Sequence, residues 1–359
     1  MPVRQALRLA LGTASALGLA RFAYGLLLPA MRDDLRWTLA EAGTMSAANG
    51  LGYLLGALLT AGAVRRVGAA ATFRWGMVLT AVSLAATAVS DDFLALLAAR
   101  AAAGAAGAAV FITGGVIASR MAGRDAIAIY FAGTGLGIVF SGVTIPPLAE
   151  HWRLAWLGLS AAAALATLVS WGAARTSEEV TAAGAGRAQV RPLSRIALAY
   201  LLFAAGYITY ITFLSAYLAE RDAPLAQVML TWTALGLAVV APALWRRRTA
   251  RLTTLLGLLA GGAALALVAP APPVILASAI VYGATFMGVP AAVTTLIKTR
   301  TPPAGWTATL AVFTTLFAAG QTAGPWLAGL LADHTSTTAT LAWTVALCAA
   351  AALIAKEHY

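Results

Sequence analysis

The sequence predicts an all-α membrane protein of twelve transmembrane helices arranged as two pseudo-symmetric six-helix bundles. Three observations predict it. Of 359 residues, 61% are hydrophobic and only 10% charged, with a mean hydropathy of +0.84, whereas water-soluble domains carry about 25% charge. Apolar runs of about twenty residues recur along the whole chain, each long enough to cross a hydrocarbon core of about 30 Å. None shows the alternation of polar and apolar residues that marks a membrane barrel strand.

Charged residues and Pro/Gly breaks divide these runs. Span one covers roughly 7–31. Arg4 and Arg8 precede it and small residues surround Ala20, as in a signal peptide, but the apolar stretch continues past Arg21 to Leu28, so it is expected to remain as a helix. Spans two and three, 39–64 and 70–90, are separated by Arg65 and Arg66. Span four, 93–119, lies between Asp92 and Arg120; spans five and six cover 125–149 and 152–173. A stretch at 174–193, running through Glu178 and Glu179 to Arg191, has the Gly, Ala, Ser and charged composition of a flexible linker. Beyond it come 194–218, 225–245 (followed by Arg246, Arg247 and Arg248), 251–270, 273–297, 305–332 and 337–355. The expected units are therefore an N-terminal bundle at 1–173, a cytoplasmic linker at 174–193 and a C-terminal bundle at 194–359.

A net charge of +11 and a pI near 10.5 would suggest nucleic acid in a soluble protein. Sorted by loop, 18 Lys and Arg fall on the side of the N-terminus and four on the other, namely Arg32, Arg36, Arg153 and Arg221. The positive-inside rule then places both termini in the cytoplasm, and anionic headgroups account for the basic collar without nucleic acid. A multi-pass protein of a bacterial inner membrane, monomeric in the bilayer, is expected. The one cysteine, Cys348, excludes disulfides and Cys-based metal sites. No Gly-Lys-Ser/Thr loop, Mg²⁺-holding acid pair or His cluster is present. No enzyme, metal or cofactor is expected.

An internal repeat supports the division into two halves. Spans four and ten align at an offset of 180, bringing Arg120 onto Arg300, and Gly123 to Phe131 repeat as Gly305 to Phe313. Arg21 with Tyr24 and Tyr207 with Tyr210 form matching pairs in spans one and seven. Parallel repeats of six helices are the plan of one large transporter fold.

The stretch Gly18-Leu-Ala-Arg21-Phe-Ala-Tyr24 through Pro29 and Arg32, followed by Asn49-Gly-Leu-Gly-Tyr53, resembles the major facilitator superfamily, and within it the branch labelled YbfB/YjiJ. Trp152-Arg153-Leu-Ala-Trp156, Gly206-Tyr207-Ile-Thr-Tyr210 and Gln321-Thr-Ala-Gly324-Pro325 extend the resemblance over essentially the whole chain. It implies two bundles rocking about a central substrate site. Arg100-Ala-Ala-Ala-Gly104 is similar to the fourth-helix motif whose Arg is linked to proton movement in relatives. Two departures stand out: Arg65 occupies the position of the Asp in the loop between helices two and three, and span five lacks the Gly-Pro of the antiporter signature.

Two basic residues belong to no loop: Arg21 and Arg100 lie inside spans, about 10 to 12 Å below the outer surface. An arginine at such depth costs roughly 3 to 10 kcal/mol unless it faces water or a partner. Both could converge on one anion, since guanidinium stays charged and grips carboxylate or phosphate bidentately. The resemblance adds that an Arg eight residues before the Pro of span one has the place of a substrate-anion arginine in organophosphate/phosphate exchangers; the matching seventh-helix arginine is absent, with Tyr207 nearest. The competing reading is structural: backbone carbonyls or Tyr hydroxyls neutralise each arginine, and Arg100 gates the fold.

No span carries an acid in its core, which disfavours export of cationic drugs. Any coupled proton is expected on the substrate itself or on a rim acid such as Asp33, Asp34 or Glu41. Tyr24, Asn49, Tyr207, Tyr210 and Gln321 complete the expected substrate site, while Trp37, Trp152 and Trp171 at span ends read as interfacial anchors. The chain is thus expected to be a secondary transporter of a small organic anion or anionic amphiphile, with export the preferred direction. A broad multidrug or metabolite exporter with structural arginines, and a non-transporting receptor on the same fold, are the alternatives.

Overall fold

Alanine- and leucine-rich runs with polar caps fold as helices, and the computed structural model, which describes residues 2–121, 126–175, 188–244 and 251–356, contains no strand among them. Helix α1 (Pro2–Thr13), a π-helical stretch (Ala14–Phe22) and α2 (Tyr24–Leu35) follow one another along the first span. Helix α3 (Leu39–Ala88) is 50 residues long but contains Gly68 at φ 82° and ψ 160°. It is therefore two helices, meeting between the second and third expected spans. Helices α4 (Phe93–Ser119), α5 (Ala126–Thr144) and α6 (Trp152–Ser170) complete the first half.

The second half holds α7 (Ser194–Ala219), α8 (Leu225–Leu244), α9 (Leu252–Val268), α10 (Pro272–Phe286), α11 (Gly288–Arg300), α12 (Trp306–Asp333) and α13 (Thr338–Ile354). The tenth expected span is interrupted at Met287, between α10 and α11. Seven helical stretches among the described residues are long and apolar enough to cross a bilayer, α3 counted once; Leu225–Ala241, Leu252–Val268 and Thr338–Ile354 are apolar but shorter. Residues 176–187 of the expected linker, with Glu178 and Glu179, lie outside the described residues, as do Arg246, Arg247 and Arg248.

The backbone at Gly68 sits in a region essentially reserved for glycine. Nothing lies within 4 Å of a Cβ built there, so a substitution meets strain alone. Gly68→Ala is expected to destabilise the protein by about 1–3 kcal/mol without altering ligand affinity, measured as thermal unfolding beside a binding titration. The two halves of α3 differ in neighbours from there on. Gly52 and Gly104 allow α3 and α4 to touch backbone to backbone, since a Cβ on either would strike Ala101 or Asn49 main-chain atoms. Leu58, Leu59, Trp75 and Leu168 point outwards and are well exposed, as a lipid-facing surface requires.

At one end of the molecule the two halves close on each other. Thr38 and Glu41 form a capping box at the start of α3. Asp333, at the last residue of α12, accepts hydrogen bonds from the Leu39 and Ala40 amides at 2.6 and 2.9 Å. A carboxylate from one half thus caps a helix of the other, where amides and dipole favour negative charge. Nearby, the Ser46 and Thr212 hydroxyls share a hydrogen bond of 2.9 Å across the same boundary. At the opposite end, Arg8 and Arg74 donate to carbonyls at and just beyond the end of α6: Arg8 Nε to Val169 at 2.7 Å, Arg74 Nε to Trp171 at 2.8 Å. Trp152 departs from its expected role as an anchor. It is buried, its indole N–H donating to Asp34 at 2.8 Å, and Trp37 is buried edge-on to Phe93.

Candidate functional site

Between the halves lies a cavity of about 250 Å³. Its walls come from the π-helical stretch (Leu17, Arg21), from α3 and α4 (Tyr53, Phe111), and from α7, α10, α11 and α12 of the second half. Tyr200, Thr294 and Thr314 place it in the portions of those helices nearer Ser194, Arg300 and Trp306, away from the closed Asp333 end. Among the described residues that line it, Arg21 is the charged one, and no Asp or Glu joins it.

The location of Arg21 follows from local structure. It stands near the end of the π-helical turn, where the Ala23 amide bonds back to the Gly18 carbonyl five residues earlier; such turns often mark functional positions because they re-aim side chains. Gly18 lets this segment press against the backbone of Gly137 in α5. Arg21 is 7% exposed. Its Nη2 donates to Gln321 Oε1 of α12, and its guanidinium lies 5.6 Å from the Tyr53 ring. Tyr207 Oη also donates to Gln321 Oε1, at 3.4 Å. Because guanidinium has no acceptor, the amide must turn its oxygen towards it. Arg21 Nε and Gln321 Nε2 are buried and have no hydrogen-bond partner.

The structure does not bring the second expected arginine into this cavity. Arg100 is 1% exposed and donates through Nη1 to the Ala20 carbonyl at 2.7 Å, its guanidinium over the rings of Tyr24 and Trp156 at 4.9 and 5.2 Å. Tyr24 and Asn49 belong to the same cluster: Tyr24 Oη donates to the Ala42 carbonyl at 2.7 Å, and Asn49 Nδ2 to the Arg100 carbonyl at 3.1 Å. Tyr210 is elsewhere, stacked at 3.9 Å on Tyr282 and bonded to Ser278 at 2.8 Å. Of the seven expected site residues, Arg21 and Tyr207 line the cavity and Gln321 joins them through hydrogen bonds. Arg100→Gln is accordingly expected to lower the melting temperature by a few degrees, a carbonyl and two ring faces losing their cation, while ligand affinity stays within about twofold of wild type. A titration beside the melting curve checks this.

What the sequence reading missed is the aromatic wall. Tyr200, Phe203, Tyr207, Phe286 and Phe317 line the cavity with rings close to parallel: Phe203 on Tyr207 at 4.8 Å and 16°, Tyr200 on Phe317 at 5.0 Å and 24°, Tyr207 on Phe286 at 5.9 Å and 16°. The spacing of Tyr200, Phe203 and Tyr207 along α7 puts them on one helix face, a stripe visible in the sequence. Phe286 and Phe317 come from other helices and carry no such local signal.

Comparison with known proteins bears on this arrangement. The model of the family described as "Uncharacterised MFS-type transporter YbfB" matches residues 13–357. No curated protein matches the chain in sequence. Similar solved structures include the human organic anion transporter MFSD10 (TETRAN), at TM-score 0.72 and 17% identity, covering 99% of both chains. The D323A mutant of nucleoside transporter NupG gives 0.73 and 13%, covering 97% of this chain and 98% of that one. A bacterial homologue of the human lysosomal transporter Spinster, inward-facing and unoccupied, gives 0.71 and 14%, covering 99% and 97%. At such identities the likeness is one of fold.

Proposed function

The chain belongs to the family of YbfB-type MFS transporters, and from that premise we propose that it moves a small organic anion, or an amphiphile with one anionic group, by alternating access. The family makes it a multi-pass membrane transporter rather than an enzyme. The substrate reading rests on one observation: a buried, charged Arg21 facing a cavity whose lining, among the described residues, holds no acid. An uncompensated cation in such a place is costly, and an anionic ligand is the partner that offsets it. Fold alone does not choose the substrate, since an organic anion transporter and a nucleoside transporter share it.

In this reading both termini are cytoplasmic, following the basic collar, in a bacterial inner membrane. Twelve crossings form two six-helix bundles at 1–173 and 194–359, joined by the linker at 174–193, and the protein works as a monomer. The cavity then opens towards the cytoplasm while Asp333 closes the outer end. Arg21 binds the anion and Arg100 holds the first helix to the fourth through Ala20. With no lining acid, a coupled proton travels on the substrate's own carboxyl group. The aromatic walls favour a second reading, a broad exporter of apolar compounds. A thermal-shift panel of carboxylates, phosphates and neutral or cationic drugs on wild type and Arg21→Ala separates the two. Stabilisation by carboxylates that Arg21→Ala abolishes supports anion transport; stabilisation by drugs, equal in both proteins, supports the exporter.

A further inference from the structure

Resting on the anion reading, we infer that the substrate is a planar aromatic monocarboxylate whose carboxylate takes the place that Gln321 Oε1 now holds on Arg21. Three features of the cavity define the class. One guanidinium in a cavity lined mainly by aromatic and apolar side chains neutralises one negative charge, and a dianion such as a phosphate ester would keep a second charge without a cation. The volume of about 250 Å³ lies below the usual range for ligand pockets, about 300–1,000 Å³, so the ligand is small. Phe203, Tyr207, Phe286 and Phe317 stack near-parallel on one another while lining the cavity, and a flat ligand that extends this stack makes offset-stacked contacts that an aliphatic ring of the same size cannot make.

Gln321 behaves as a stand-in for the anion. Its amide oxygen accepts from both Arg21 and Tyr207, the donors a carboxylate oxygen would use, and its Nε2 is buried without a partner. Arg21 Nε is likewise unpartnered, so a bidentate carboxylate gains a donor that the amide oxygen leaves idle. Arg21 belongs to the first half and Gln321 to the second. The incoming carboxylate therefore breaks a hydrogen bond between the halves as it binds.

Equilibrium binding of radiolabelled benzoate to the purified protein in detergent, with competition by unlabelled acids, tests this. Benzoate is expected to bind about threefold to tenfold more tightly than cyclohexanecarboxylate, and more tightly than both phthalate and uncharged benzamide. Gln321→Ala should hold or improve benzoate affinity, whereas Gln321→Glu, which installs a permanent anion beside Arg21, should weaken it by about 100-fold. Gln321→Met repeats the first arm if the alanine variant fails to fold. Equal affinity for cyclohexanecarboxylate and benzoate, both lost in Arg21→Ala, overturns the aromatic class and leaves anion transport standing. A loss in Gln321→Ala and Gln321→Met as large as in Arg21→Ala makes Gln321 a ligand and overturns its role as stand-in. No Arg21-dependent binding of any carboxylate overturns both this inference and the function it rests on.

Discussion

Arg21→Ala is expected to abolish Arg21-dependent anion binding and transport while leaving the protein inserted and folded. The side chain enters the cavity as the charged group of its lining, where it meets Gln321 and the Tyr53 face. Truncating a buried partner of a charged hydrogen bond costs roughly 2–5 kcal/mol, which is about 30-fold to several-thousand-fold in affinity. The free protein, in contrast, loses an awkward charge whose Nε has no partner, so its melting temperature should hold or rise. That pairing of lost binding with retained stability distinguishes a ligand arginine from a structural one. Arg21→Lys should recover only part of the affinity, since a lysine ammonium cannot present the two-pronged fork. Ligand titration and thermal unfolding of the three proteins give the comparison.

Asp333→Ala is the second large effect, and it acts on the balance between states. In the structure this carboxylate satisfies two first-turn amides of α3, Leu39 and Ala40, across the boundary between the halves. Hydrogen bonds to a charged group contribute about 1.5–3 kcal/mol each, and they exist only while this end is closed. Losing both, about 3–6 kcal/mol together, should shift the population towards opening of that end by about 100-fold to 10,000-fold, at about 1.4 kcal/mol per decade. Asp333→Asn, which keeps an acceptor but loses the charge, should fall between. A Ser46→Cys reporter in a Cys348→Ala background reads the shift, because Ser46 is buried against Thr212 at the same boundary. Its labelling by a membrane-impermeant maleimide should accelerate in Asp333→Ala. An unchanged rate would show that the contact does not hold this end shut.

Asp333 also illustrates how far the sequence could be read. As a charged residue at a span end, it was legible only as a boundary; that it caps a helix nearly 300 positions away depends on the tertiary fold. Helix positions were readable to within a few residues, as with Phe93–Ser119 and Ser194–Ala219, because apolar length and capping are local. The break inside α3 falls at Gly68, in the gap the sequence left between 64 and 70, but the π-helical turn at Ala14–Phe22 was not legible, since backbone detail of this kind is set by packing, here of Gly18 against Gly137 of α5. Arg21 stood out through the cost of burying a charge. Arg100 stood out for the same reason and proved to serve the backbone at Ala20: cost marks a buried charge without saying what offsets it. The Tyr24 ring lies under the Arg100 guanidinium, whereas Asn49 meets only the Arg100 main-chain carbonyl; Gln321 of α12 reaches Arg21, and Tyr207 of α7 joins it through Gln321.

Counterflow in proteoliposomes tests whether Arg21 carries an anion across the membrane. Vesicles holding the wild-type protein and loaded with a panel of unlabelled aromatic and aliphatic monocarboxylates are diluted into trace radiolabelled acid of the same kind. Transient accumulation with at least one acid, absent from vesicles with Arg21→Ala and from vesicles without protein, is the result predicted. Accumulation in Arg21→Ala equal to wild type, or none above protein-free vesicles for any carboxylate, would contradict it.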